Sequence, residues 1–122
     1  MTLEECYKEL GGNYAEVCTR LPSSRLVEKF MLRFPEDKSF ETLCREMEDG
    51  NREEAFRAAH TLKGVCANLG FTRLMESASL LTEELRTERE GIPETAAALL
   101  ENVRCDYQST VSAIGRYSDQ AK

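Results

Sequence analysis

The chain holds one histidine, His60, and five cysteines, Cys6, Cys18, Cys44, Cys66 and Cys105. These are its reactive side chains. An imidazole nitrogen is nucleophilic near neutral pH without a strong base beside it. Three residues on stands Lys63, a cation one helical turn from the ring, and then Gly64. The cysteines offer less. Their number is odd, their spacings are wide and no two form a C-x-x-C pair, so neither a disulfide framework nor a local zinc site is drawn. A mixed Cys/His zinc site would need long-range convergence. The expectation is five reduced thiols used as small apolar core residues. Cys66 lies six residues from His60 on another face of the same helix, so the two cannot pair.

Helix geometry decides where His60 points. Apolar residues recur at spacings of three and four around it, the mark of an amphipathic helix over about residues 52–69. At 100° per residue, Ala55, Ala58, Ala59, Leu62, Val65, Cys66 and Leu69 fall in one arc, the core face. His60 lies roughly 160° from its centre, toward water. Its helical neighbours are Glu53, Phe56, Arg57, Lys63, Gly64 and Ala67. Gly64 is interior to the helix, where glycine costs about 1 kcal/mol relative to alanine. On an exposed face its gain is access, and Ala67 extends the low surface by another turn. An imidazole, a glycine and an alanine in a row, with Lys63 and Arg57 beside them, suggest a surface where another macromolecule lies flat over a reactive ring.

The remaining elements are helical too, with no alternating β-branched run. A first helix covers about 3–10, with Leu3, Cys6, Tyr7 and Leu10 on one side, a Thr2/Glu5 capping box and a stop at Gly11-Gly12. A second starts at Asn13 and carries Tyr14, Val17, Cys18 and Leu21, up to Pro22. Ser23 or Ser24 caps the next, with Leu26, Val27, Phe30 and Phe34. Pro35 disfavours helical geometry at Phe34. Ser39 caps a helix with Phe40, Leu43, Cys44 and Met47, ended by Asp49-Gly50-Asn51. Gly70 closes the His60 helix, and Thr72 caps its successor, with Leu74, Ala78, Leu81 and Leu85. After the loop Glu90–Pro93 comes a long helix with Leu100, Val103, Tyr107, Val111 and Ile114. The expected fold is all-α: an antiparallel four-helix bundle over about residues 23–118, one helix interrupted at Pro35. Short N-terminal helices (1–22) pack on it, all in a single domain of 122 residues.

Composition narrows the function. With 41% hydrophobic and 31% charged residues the chain suits a soluble globular domain. A net charge of −6 argues against general nucleic-acid binding. No apolar run approaches a membrane span, and the acidic amphipathic start is not a secretory signal. The expected location is cytoplasmic.

The run His-Thr-Leu-Lys-Gly, His60 to Gly64, followed by Ala-Asn-Leu-Gly, Ala67 to Gly70, resembles the signature of histidine-containing phosphotransfer (HPt) domains. The preceding Phe56-Arg-Ala-Ala59, the following Phe71-Thr-Arg-Leu74 and the loop Glu48–Asn51 fit as well. Val65 stands where many members have a smaller residue, and Cys66 where Ala or Ser is usual. The resemblance implies that His60 carries a phosphoryl group, normally on Nε2. Lys63 would offset its charge, and Gly64 would let a receiver domain approach. Arg57, Phe56, Glu53 and Ala67 complete the expected docking surface. It implies a relay component of two-component signalling, passing phosphate between receiver aspartates or taking it from a hybrid sensor histidine kinase. No cofactor of its own is expected, because the Mg²⁺ belongs to the receiver. No Gly-rich nucleotide loop or P-loop is present, so no kinase or ATPase activity is expected. A monomer is the simplest assembly.

Alternatives stay open. The N-terminal phosphotransfer domain of a chemotaxis-type histidine kinase shares H-x-L-K-G, but would be continued by dimerisation and kinase modules. The autophosphorylating kinase hairpin has an acidic residue where this chain has Thr61. An adaptor that docks receivers without transfer, and a metal-binding Cys/His protein, are the readings from other classes.

Overall fold

The computed structural model describes residues 1–121, with the side chain of 121 left aside. They form seven α-helices and one 3-10 turn, with no strand among the described residues. In chain order these are α1 (Leu3–Leu10), α2 (Tyr14–Arg20), α3 (Ser24–Arg33), the 3-10 turn Phe34–Glu36, α4 (Ser39–Glu48), α5 (Arg52–Leu69), α6 (Thr72–Leu85) and α7 (Ala96–Ala121). Consecutive long helices pack side by side, α4 on α5, α5 on α6 and α6 on α7, while α1 lies along α7.

Local chemistry explains most of the boundaries. Thr2 accepts the Glu5 N–H at 3.1 Å and Glu5 accepts the Thr2 N–H at 3.0 Å, a complete capping box. Asn13 caps α2 and Ser23 caps α3. At α4 the expectation fails: Ser39 is the first helical residue, and Asp37 instead accepts its N–H at 2.8 Å. Thr72 likewise sits inside α6, preceded by Phe71, whose buried ring fixes the entry without a side-chain cap. Pro35 does not push Phe34 out of the helical region (φ −54°, ψ −41°). It opens the 3-10 turn, where a missing N–H costs nothing.

The core runs through every helix. Its largest fully buried side chains include Tyr7, Phe71, Leu10, Met31, Leu43, Leu62, Leu74, Leu81 and Leu85. Phe71 is its aromatic centre, with the rings of Tyr7 at 5.7 Å and Phe34 at 5.0 Å. Phe40 stacks on Tyr107 at 4.1 Å between α4 and α7. Met31, not Phe30, joins Val27 on the inward side of α3; Phe30 is 38% exposed. The thiols divide. Cys6 and Cys66 are buried and Cys44 half-buried, but Cys18 and Cys105 face solvent, so the all-core expectation is wrong for those two. Short α2 buries only Val17, and Cys105 lies on the outer side of α7 between its inward turns. All five are free.

Candidate functional site

Helix α5 is the scaffold of the site. Ala55, Ala58, Ala59, Leu62 and Cys66 are buried against its neighbours. The predicted arc is too wide at its C-terminal edge: Val65 and Leu69 are half-buried. They line a groove with Leu21, Phe30 and Phe34. His60 is exposed, opposite the buried arc.

The backbone beside His60 is bare. Beyond the adjoining residues and its own helix backbone, a Cβ built on Gly64 would meet no atom within 4 Å, so the glycine serves no packing role against the other helices. Gly70, six residues on, is the opposite case. Its φ is 72°, and a Cβ there would stand 2.9 Å from the Asn13 carbonyl oxygen and 3.1 Å from the Val17 Cβ. It terminates α5 in the left-handed conformation that glycine adopts without strain.

The charged neighbours are arranged less simply than the wheel suggests. Arg57 is held by two carboxylates of its own helix, Glu53 at 3.1 Å and Glu54 at 3.2 Å, all exposed. Its charge is therefore opposed on the spot. The Arg57 carbonyl accepts the Thr61 hydroxyl at 2.9 Å. Lys63 is half-buried and makes no ion pair among the described residues. Phe56 is half-buried with its ring 6.1 Å from the His60 ring, tilted by 58°. Glu53 is exposed and Ala67 half-buried. The structure thus gathers the predicted residues along the outward side of one helix.

Several contributors carry no signal in the sequence around His60. The N-terminal segment clasps the end of α5. The Tyr7 hydroxyl donates to the Leu69 carbonyl at 2.7 Å, the Asn13 N–H to the Gly70 carbonyl at 2.8 Å, and Arg20 to the Ala67 carbonyl. These carbonyls cluster at the helix C-terminus, where acceptors lack intrahelical partners; that of Ala67 also takes the Gly70 N–H at 3.3 Å. From the other side Arg86, at the end of α6, places its guanidinium carbon 5.0 Å from the Phe56 ring centre. Arg52 donates to the Leu85 carbonyl at 2.8 Å, tying the start of α5 to the end of α6. Partners so distant in sequence, as Tyr7 and Arg20 are from α5, cannot be read from local periodicity.

Buried thiols and phenols are kept neutral. Desolvation pushes the Cys6 thiol up to about 11 and the Cys66 thiol higher still. Burial raises Tyr7 as well. None of these is a poised nucleophile, since a reactive thiol needs a lowered pKa. Among the described residues no three His, Cys, Asp or Glu side chains converge as metal ligands, and no helix is long and apolar enough to cross a membrane.

Comparison with known proteins gives one match. Neither the curated proteins nor the solved structures provide one. The family model described as Hpt domain matches residues 25–113, from the first turn of α3 well into α7, with His60 inside. That span is well over half of the chain, and the helical fold agrees with it. The chain belongs to the Hpt domain family, whose members carry out histidine phosphotransfer in phosphorelays.

Proposed function

We propose that this domain is a phosphorelay carrier in which His60 takes a phosphoryl group from a receiver aspartate, or from a hybrid sensor histidine kinase, and passes it to another receiver. The observation that carries the reading is the pairing of exposed His60 with the unfilled space over Gly64, one turn away on the same helix. The scaffold in this reading is α4–α7 as an antiparallel four-helix bundle, supported by the side-by-side packing of consecutive helices and their short connections.

The step is a displacement at phosphorus. A neutral imidazole nitrogen of His60 forms a bond to phosphorus as the bond to the aspartyl oxygen breaks, and the aspartate leaves as a carboxylate. The ring proton stays on the other nitrogen or passes to water. Such transfers need alignment and charge neutralisation more than covalent work by the protein. Lys63, three residues on along the same helix and without an ion pair among the described residues, supplies a cation. Gly64 and Ala67 let the receiver approach, and Phe56, Arg57 and Glu53 border the contact. The Mg²⁺ and the acceptor aspartate come from the receiver. A phosphoramidate is labile, so the same geometry serves the onward step. The domain acts as a monomer in the cytoplasm in this reading.

The test is incubation with a phosphorylated receiver and Mg²⁺. Transfer predicts label on this chain that is acid-labile and base-stable. An adaptor would instead bind the receiver and stay unlabelled.

A further inference from the structure

The seam between α4 and α7 is the loosest of the bundle. Helix α5 packs along α4 and α6, and α6 along α7, but α4 and α7 are not among the helix pairs that lie closely side by side. A ring stack bridges them, Phe40 on Tyr107 at 4.1 Å. One turn further along each helix stand Cys44 and Arg104, and from there an open groove of about 670 Å³ runs to the loop Ile92-Pro93-Glu94. Its apolar lining includes buried Leu100 and half-buried Cys44, Met47 and Ile92. That volume falls within the range of small-molecule sites, about 300–1,000 Å³, and the space between helices of a bundle is a common place for them.

The charges on this groove are unbalanced. Arg104 is already engaged: it donates to Glu101 at 3.2 Å, and its guanidinium carbon lies 5.8 Å from the Phe40 ring centre. Glu48, at the end of α4, and Glu94, in the loop before α7, line the same groove. Both are exposed, and their carboxylates have no hydrogen bond or ion pair among the described residues. Glu9 and Glu53, which line other hollows, are by contrast neutralised by Arg116 and Arg57. The size of the groove limits its occupant. From Ala97 to Arg104 it runs about 10 Å along α7. That seats a ring with a short alkyl arm and is too short for a helix of several turns.

We infer that the α4–α7 groove binds a small amphipathic cation, an aryl or short alkyl group that carries an ammonium. The apolar part lies against Met47 and Leu100, and the ammonium turns to Glu48 and Glu94, the two carboxylates without a partner. Removal of the apolar surface from water supplies the attraction, and the carboxylates select the sign of the charge. The groove is built by α4 and α7, away from the outward side of α5, so the inference stands apart from the relay reading. A ligand held between the two helices stabilises the folded chain by mass action.

The probe is phenylbutylamine, a cation at neutral pH, titrated into the intact isotope-labelled chain and followed by the backbone amide signals. Phenylbutyrate, the same apolar body with the opposite charge, is the comparison. The expected result is saturable movement of the Cys44, Met47, Ala97 and Leu100 signals with the amine, and none with the acid. Glu48→Gln combined with Glu94→Gln should weaken binding by roughly two- to tenfold, the size expected for two exposed charge pairs. The unfolding midpoint without ligand should be unchanged. Ala97→Trp, at an exposed position on the groove, should fill it and abolish the saturable movement with helicity retained. His60→Gln should bind as wild type does. Equal movement with the acid, movement that spreads over the acidic surface without saturating, or wild-type affinity in the double glutamate variant would overturn the inference. Failure of a receiver to label His60 would overturn the relay reading and leave this titration standing.

Discussion

The two sides of α5 obey different rules. Its inward side is built from Ala55, Ala58, Ala59, Leu62 and Cys66, all buried. Each of these residues can be explained by the fold. The outward side holds His60, Gly64 and the half-buried Lys63 and Ala67, which the fold does not require. The glycines condense the contrast. Gly70 is fixed by a positive φ and by the Asn13 and Val17 atoms against it, while Gly64 has open space where a side chain would stand. A residue that costs helix stability and answers no internal need is explained by something outside the domain.

The contrast predicts large stability effects inward and small ones outward. Leu62→Ala should be the most damaging, since it opens a cavity under α5, and about 2–5 kcal/mol should be lost in denaturant unfolding. Gly70→Ala should follow at about 2–3 kcal/mol, because the residue needs φ near 72° and its Cβ meets the Asn13 carbonyl. A wild-type unfolding midpoint for either would break the contrast.

The inward side also fixes an alkaline limb. Cys66, and Cys6 across the core, are held protonated by burial, with folded pKa values above their ordinary value near 9. The unfolded chain loses those protons first as pH rises. Stability is therefore full below about pH 9 and declines above it, by up to about 1.4 kcal/mol per pH unit for each thiol. For Cys6 the decline levels off above about 11. Unfolding followed between pH 8 and 10.5 checks the sign, and Cys66→Ala should flatten the slope. The smallest stability effect belongs to Gly64. Gly64→Ala should stabilise by up to about 1 kcal/mol, and Gly64→Gln should leave the fold intact while blocking transfer from a receiver. Destabilisation by either would mean that Gly64 serves internal packing.

The outward position of His60 and the course of α5 are legible in the sequence, because a 3.6-residue period leaves little choice for Leu62, Cys66 and the alanines. The bounds of α1, α5 and the stop at Gly70 are legible for the same reason and through local capping. Capping failed where the partner was not the nearest hydroxyl: Asp37 serves α4 in place of Ser39, and Phe71 enters α6 without a polar cap. The wheel also could not say that Val65 and Leu69 are half-buried, since their cover is a matter of where α2 and α3 lie. Nor could it see Arg57 bound to two glutamates, because a rotamer choice decides between the ring and the carboxylates. Tyr7, Arg20 and Arg86 were beyond reach for a plainer reason. Their contacts with the ends of α5 and with Phe56 join distant parts of the chain, and nothing in the spacing encodes them.

In the relay reading proposed above, the outward side of α5 exposes a phosphorylatable imidazole. The most direct measurement is the labelling of wild type and His60→Gln by a phosphorylated receiver, with helicity and unfolding midpoint recorded for both. The account predicts acid-labile, base-stable label on wild type, none on His60→Gln, and matching folds. Label retained by a folded His60→Gln protein would contradict it.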